Sequence, residues 1–362
     1  MTAPPSLTVA CVMLSERRGG LEQSLIDDGE ALALAGHRVV ALIAPGWPGR
    51  AQLEPVVVEM AMVRSRSEWD LIARRRVSAV LRAWAPSVVL TIGRRATVLS
   101  RGALRHDPNV PLVARTPNER VRHLIGIDQI IATTPDIAQA LIGAGQPPER
   151  ISVVPNLVRV PEAGARRGRT MREPPVIGAL GRLVAGKGFG DLIDALALLR
   201  DRGVSFAARV GGTGPEERAL RARAAAAGLN ERLGFLGWVT DKAAFFEGID
   251  VLCVPSRAEA FGIVVLEGMA HGVPVIAADA QGPRAIITDG VDGLLVRRAD
   301  PQHLADALER LLNDAALRHR LAESALQTVR ARYALPVVAA QLSDTLASVV
   351  RRHATALRQA DR

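Results

Sequence analysis

Aromatic side chains are scarce in this sequence: Phe, Trp and Tyr together make up 3% of it, and there is a single tyrosine. A chain so poor in stacking surfaces is a weak candidate for a nucleic-acid binder, and no nucleic-acid motif accompanies its net charge of +9. Cysteine is almost missing as well. Cys11 and Cys253 each sit inside a hydrophobic, strand-like run, which suits small buried thiols in a reducing compartment and excludes a disulfide framework. No uninterrupted apolar run approaches the ~20 residues that a membrane-spanning helix needs, because charged, Gly or Pro residues break every candidate. The opening MTAPPSLTVACVML has no basic region ahead of its apolar run, so no cleaved leader is expected and the cytoplasm is the expected compartment. Lysine is the last absence: among 46 basic residues only Lys187 and Lys242 are lysine. Arginine stands almost everywhere a positive charge is tolerated, so a lysine that persists marks a candidate for a site that wants a compact ammonium.

What is present is apolar and periodic. At 362 residues the chain exceeds the size at which one core usually keeps growing, so two domains are expected. Short β-branched runs alternate with longer helical patterns from end to end, the signature of parallel sheets wrapped by helices. In the first half the strand candidates are LTVACVML, RVVALI, PVVVEM, SVVLTI, VPLVA, QIIAT and ISVVP. In the second they are PVIGAL, SFAARV, RLGFLG, DVLCVP, VPVIA and DGLLV. A polar stretch rich in Gly, Pro and Arg around 161–175 reads as a linker, giving domains over 1–165 and 175–335 with 166–174 between them. Three helices close the chain, from Pro301, from about Asp314 and from about Pro336. Open α/β sheets bind ligands in the crevice outside the carboxyl ends of their strands, so the cleft between two such domains is the place to search. The positive excess falls mainly in the first half, with 23 basic against 16 acidic residues over 1–174, which favours an anionic ligand or an anionic membrane surface.

Three segments carry candidate chemistry. GALGRLVAGKGFGDLIDAL runs from a buried strand through a loop with Gly178, Gly181, Gly186 and Gly188 into an amphipathic helix, with Arg182 and Lys187 in the turn. Glycine lets a backbone approach an anion closely, and a guanidinium with an ammonium can neutralise a diphosphate without a metal; a plain loop with solvated charges is the competing arrangement. RVGGTGPEERAL places Gly211, Gly212 and Gly214 after another strand, a pattern that by itself marks a tight turn more often than a binding loop. DVLCVPSRAEAFGIVVLEGMAHGVPVIAAD has Glu259 in a loop and Glu267 in the helix that begins near Gly262, so both carboxylates can face one end of the sheet. The helix N-terminus offers backbone N–H groups, and Val264, Val265, Leu266 and Met269 make the surroundings of Glu267 apolar enough that its carboxylate needs partners.

GRLxxxKG, GGTGP, FLGWV and PSRAEAFGIVVLEGMAHGVPVIA, in this order and spacing, resemble glycosyltransferase family 4, whose members are retaining enzymes. The resemblance covers essentially all of the second half and, more loosely, the first. It implies an α/β fold of GT-B architecture, two Rossmann-like domains facing each other across a cleft, with the acceptor domain first and the nucleotide-sugar donor domain second. It further implies that Arg182 and Lys187 hold the donor diphosphate, that Glu259 touches the transferred sugar and that Glu267 binds the ribose diol. The base would lie against Leu236 to Val239, and main-chain amides of Ala260, Phe261, Gly262 and Ile263 would meet sugar and phosphate oxygens. Gly19, Gly20, Gly181 and Gly212 are the glycines counted as donor-binding, and the helix over 336–362 would cross back onto the first domain.

The match departs at one place. Members commonly carry a histidine just after an N-domain strand, near the sugar's primary hydroxyl. Here VPLVA is followed by Arg115, Thr116, Pro117 and Asn118, and the nearest histidine is His123. That puts the donor sugar in question, and Arg115 meeting a carboxylate, as on a uronic acid, is one consequence. The resemblance implies a metal-independent hexosyltransferase with no cofactor, a UDP-, GDP- or ADP-sugar as donor and a glycan or lipid-linked acceptor. A nucleotide-sugar 2-epimerase and a non-catalytic sugar-nucleotide binder are the alternatives on a related fold. Finally, Arg64 to Trp84 combines Arg64, Arg66, Arg74, Arg75, Arg76 and Arg82 with Trp69, Leu71, Ile72, Val77, Val80, Leu81 and Trp84. This segment suits either a core-facing helix with a solvated arginine face or a peripheral helix docked on anionic lipid.

Overall fold

A computed structural model of the chain describes residues 6–16, 20–117, 121–161 and 171–360. The contacts divide it into two units, one formed by residues 1–157 together with 335–362 and the other by 158–334.

The first unit is built on seven strands: β1 (Thr8–Met13), β2 (Arg38–Ile43), β3 (Glu59–Met62), β4 (Val88–Ile92), β5 (Leu112–Thr116), β6 (Gln129–Ala132) and β7 (Ile151–Val153). All pair in parallel, in the order β3-β2-β1-β4-β5-β6-β7. Helices cover both faces, and for that reason the strands read as continuous apolar runs rather than alternating ones. Along β1, Val9, Cys11 and Met13 enter one core while Ala10, Val12 and the following Leu14 enter the other. Burial pushes the Cys11 thiol, and likewise Cys253, far up in pKa, so both stay protonated and inert.

The expected strand PVVVEM begins four residues later than the hydrophobic run. Val56 donates to the Leu53 carbonyl at 2.9 Å, so the first valines finish a turn; Val58 N then donates to the Val39 carbonyl of β2 at 2.9 Å, and the paired register runs from Glu59.

The second unit has six parallel strands: β8 (Val176–Leu180), β9 (Ala207–Gly211), β10 (Leu233–Gly237), β11 (Val251–Val254), β12 (Val275–Ala278) and β13 (Leu294–Val296). Their order is β10-β9-β8-β11-β12-β13. In each sheet the chain winds outward from a central strand in one direction and then resumes on that strand's other side. The reversal lies between β1 and β4 in the first unit and between β8 and β11 in the second, and at such a switch point the connecting loops diverge and open a crevice at the strands' carboxyl ends. Loops after β8 and β11 therefore flank the natural ligand position of the second unit.

The chain passes between units at Leu157/Val158, ahead of the stretch expected as a linker, because Val158 already belongs to the second core. Its N–H donates to the Tyr333 carbonyl at 2.9 Å and it bridges Ala334. Residues 162–170 of the expected linker region lie outside the described residues. The three closing helices are Pro301–Asn313, Ala315–Arg332 and Leu335–Ala360, the first two opened by Asp300 and Asp314, whose side chains accept from the third helical N–H. The last helix rejoins the first unit: Val338, Leu342 and Leu346 fill the same core as Leu25 and Leu32 of the helix Gly20–Leu34. His37 fixes it further, accepting from the Leu7 N–H at Nδ1 (3.1 Å) while Nε2 meets the Ser343 hydroxyl at 2.8 Å.

Candidate functional site

At the carboxyl edge of the second sheet, the loops after β8, β9, β10 and β11 are laced together by main-chain hydrogen bonds. Gly181 N donates to Gly211 O (3.0 Å), Leu183 N to Thr213 O (2.9 Å), Gly212 N to Gly237 O (2.6 Å) and Ala258 N to Gly186 O (3.1 Å). The four motifs, separated by up to some dozens of residues in the chain, thus form one surface. Two glycines make that approach possible. A Cβ on Gly212, whose φ is +131°, would collide with the Gly181 carbonyl oxygen. One on Gly188, at φ +67°, would collide with that of Pro255.

Both lysines of the protein are on this surface, and each is paired with one of the two motif glutamates. The Lys187 ammonium, in the short 3₁₀ turn Ala185–Lys187, forms an ion pair with Glu259 Oε2, and the Ser256 hydroxyl reaches the same oxygen at 3.4 Å. Glu259 is held from behind as well, since its carbonyl accepts from Gly282 N at 2.8 Å. Lys242, the first residue of the helix Lys242–Glu247, donates to Glu267 Oε1 at 2.5 Å. Glu267 lies in the helix Ile263–Ala270, entered through Gly262 in the left-handed conformation at φ +94°, and its side chain is largely buried. A carboxylate in such apolar surroundings is stable only when charge-assisted hydrogen bonds replace its water, and Lys242 supplies one.

Lys242 is not among the expected site residues. Its scarcity singles it out, but nothing in the spacing between it and Glu267 announces a contact made only by folding.

Arg182 is exposed, and among the described residues its guanidinium has no carboxylate partner. Beside the loop, Arg257 holds the buried Asp191 by two bonds, Nε to Oδ2 at 2.7 Å and Nη2 to Oδ1 at 2.5 Å, which fixes the loop after β11 to the helix Phe189–Asp201. At the end of β10, Leu236 is exposed and Gly237 closes the strand, and just after it Trp238 is exposed and Val239 half-buried. Ala260 and Ile263 are partly exposed, whereas the Phe261 ring is buried against Tyr333, so only its main chain can face a ligand. Among the described residues no group of three or more His, Cys, Asp or Glu is arranged to hold a metal ion.

In the first unit Gly20 opens the helix Gly20–Leu34, and Gly19 lies outside the described residues, as does Asn118. Arg115 does not present its charge to a ligand in the way suggested for a uronic acid donor. It is buried at the end of β5, where Nη2 donates to the Pro155 carbonyl at 2.8 Å and to Asn156 Oδ1 at 3.3 Å. Its Nε stands 3.4 Å from Asp28 Oδ2, an ion pair without hydrogen-bond alignment. Burial, opposed by Arg115 and reinforced by Asp27, pushes the Asp28 carboxyl up to about 6. Pro117 ends the strand half-buried. His123 lies in the short turn Arg122–Leu124 with its pKa lowered by burial and by Arg94.

Two parallel doubly wound sheets, the second carrying a glycine-rich, cation-bearing crevice, define an enzyme of the GT-B glycosyltransferase fold. HepE from Anabaena, solved in complex with UDP, superimposes with a TM-score of 0.82 at 21% identity, over 94% of this chain and 100% of that one. Residues 165–328 match the family model described as glycosyl transferases group 1, and residues 18–160 match that described as glycosyltransferase family 4. The lipopolysaccharide core biosynthesis glycosyltransferases LpsE and LpsD of Rhizobium meliloti are each 30% identical. LpsE aligns over 91% of this chain and 96% of its own length, LpsD over 87% and 91%. The chain belongs to glycosyltransferase family 4.

Proposed function

We propose that the protein transfers a hexose from a UDP-, GDP- or ADP-sugar to a hydroxyl of a cell-surface glycan or lipid-linked precursor, with retention of configuration and without a metal. The observation that carries this reading is the cluster of Arg182, Lys187 and Glu259 on loops laced together at the switch point of the second sheet. The names of LpsE and LpsD support assignment to lipopolysaccharide or related polysaccharide synthesis, and the UDP complex of HepE supports a nucleotide-sugar donor. Within this reading the reaction takes place in the cytoplasm, at the inner face of the membrane. Among the described residues no helix is long and apolar enough to cross a membrane.

In this mechanism the bond from the anomeric carbon to the diphosphate oxygen breaks, and the oxygen keeps the electron pair. The acceptor oxygen bonds to the same face of the sugar, and its proton passes to the departing diphosphate. Negative charge grows on that leaving group, so cations already in position stabilise the transition state more than the ground state. Arg182 and Lys187 supply them. Glu259 turns to the hydroxyls of the transferred sugar once the diphosphate takes its place on Lys187. Glu267 accepts from the ribose diol, the base rests on Leu236 to Val239, and the amides from Ala260 to Ile263, with Gly181 and Gly212 beneath, approach sugar and phosphate oxygens.

The test is binding and slow hydrolysis of UDP-, GDP- and ADP-sugars with and without EDTA, for wild type and Lys187→Ala. Saturable binding unaffected by EDTA, with turnover lower by roughly 10²-fold or more in the variant, is the expected result. No binding to any donor overturns the reading, and release of an epimerised sugar nucleotide without acceptor identifies a 2-epimerase instead.

A further inference from the structure

The helix Leu71–Trp84 separates the residues of the Arg- and Trp-rich segment into two populations. Ala73, Val77, Leu81 and Trp84 are buried and face the first unit's core. On the opposite side, at helical spacing, Ile72, Arg75, Arg76, Ala79 and Arg82 face solvent. Just ahead of the helix and in its first turn the large apolar side chains are also outside: Trp69 is 75% exposed, Leu71 59% and Ile72 64%. An indole in open water beside two aliphatic side chains forfeits the burial that drives folding, so this grouping is unfavourable unless something covers it.

The loop that presents them is braced rather than loose. Asp70 accepts from Ala73 N (2.9 Å) and Arg66 N (3.1 Å), and Ser67 Oγ accepts from Trp69 N (3.2 Å). Glu68 is gripped by Arg94 through two bonds at 2.6 and 2.7 Å. Arg94 thereby offsets the charge of Glu68, whereas Asp70 stays ionised, its carboxyl held below the ordinary range by the N–H groups of Ala73 and Arg66, and the arginines of the patch outnumber it. Arg64, Arg75 and Arg76 are exposed without a carboxylate partner among the described residues, and Arg66, also exposed, has Asp70 beside it. Arg95 donates to Ser65 O (3.3 Å) and Leu14 O (3.4 Å), tying the patch to the loop after β1, at the carboxyl edge of the first sheet.

We propose that this patch docks the enzyme peripherally on an anionic bilayer, with Trp69, Leu71 and Ile72 entering the interface and the surrounding arginines meeting lipid phosphates. The carboxyl edge of the first sheet then lies beside the membrane, and the acceptor is one that the bilayer delivers. This last step rests on the glycosyltransferase reading above; the docking itself does not. Charge decides the occupant. A second copy seated on the same patch would set arginines against arginines, and three apolar side chains fall short of the ~800 Å² per partner of a stable protein interface, whereas shallow insertion with cationic support needs only such a group.

The experiment is co-sedimentation of the full chain with phosphatidylcholine vesicles, with and without phosphatidylglycerol, at low and physiological salt. Two variants accompany wild type, Trp69→Ala/Leu71→Ser/Ile72→Ser and Arg75→Gln/Arg76→Gln, with donor binding measured for each. Wild type is expected to pellet only with anionic vesicles and less so as salt rises. Each variant should partition about tenfold or more weakly, with circular dichroism and donor affinity unchanged. Absence of vesicle binding by wild type, or variants that bind as wild type does, overturns the proposal. So does a dimer in light scattering that the triple substitution abolishes without any vesicle binding. Failure of wild type to bind any donor would sink the glycosyltransferase reading alone and leave the vesicle result to stand or fall by itself.

Discussion

Lys187 with Glu259 and Lys242 with Glu267 form two ion pairs on one surface, and they do different work. The first is partly exposed and can exchange partners when a diphosphate arrives. The second gives a largely buried carboxylate on an apolar helix a charge-assisted bond, a role that Lys242→Met removes at nearly constant volume. With the ammonium gone the Glu267 carboxylate loses the charge-assisted bond at Oε1. Steady-state kinetics of Lys242→Met should therefore show the donor KM raised roughly tenfold with kcat little changed. Lys187→Ala should show the reverse split, with kcat falling. Much of this site could be read from the chain because Arg182, Lys187, Glu259 and Glu267 lie within contiguous motifs whose loops fold next to each other. The partner of Glu267 could not, being 25 residues away on another helix. Arg115 misleads for a related reason: a charged residue ending a strand reads as exposed, and only the positions of Asp28, Pro155 and Asn156 show it sealed inside.

Among the elements, the closing helix Leu335–Ala360 joins its unit from the far end of the chain, so its attachment is the most consequential, and that attachment titrates. His37 is buried, and the N–H of Leu7 points at its Nδ1, so the ring is accommodated only when neutral. Desolvation lowers its pKa below the ordinary 6.5. A histidine whose folded pKa is depressed contributes stability that is complete above 6.5 and is lost as pH falls toward the folded value, because the unfolded chain binds the proton first. Asp28 acts in the opposite sense within the same unit: its carboxyl, raised from 3.8 to about 6, makes the fold relatively more stable as acid protonates it. Comparing thermal unfolding of wild type and His37→Gln at pH 7.5 and 5.5 isolates the first effect. Wild type should lose more stability on acidification than the variant does, and equal losses would show that His37 does not carry the attachment. The strands themselves were legible as apolar runs, since burial on both faces leaves no polar alternation to confuse them. PVVVEM misleads because a run of valines has the same composition whether it enters the sheet or closes a turn.

At the scale of the whole molecule, the second unit is contiguous in sequence and the first is not. The clusters around Leu196 and around Phe246 are drawn entirely from residues 158–334, so a fragment of that range should fold alone, melt cooperatively and retain whatever donor affinity the second unit holds. Residues 1–157 by themselves leave Leu25, Leu32 and their neighbours without Val338, Leu342 and Leu346, and should aggregate or bind a hydrophobic dye. Supplying a peptide of residues 335–360 in trans should reduce that dye binding, as measured by fluorescence.

The return of the last helix also sets an order of events during synthesis. Domains ordinarily fold as they emerge from the ribosome, the N-terminal one first. Here the first-made unit must wait, its apolar seam open, while all of the second unit is translated and closes its own core. Only when Val338 through Val349 have emerged can the oldest part of the chain be completed by the youngest. A nascent chain halted before that point offers a chaperone an unfinished first unit beside a finished second one.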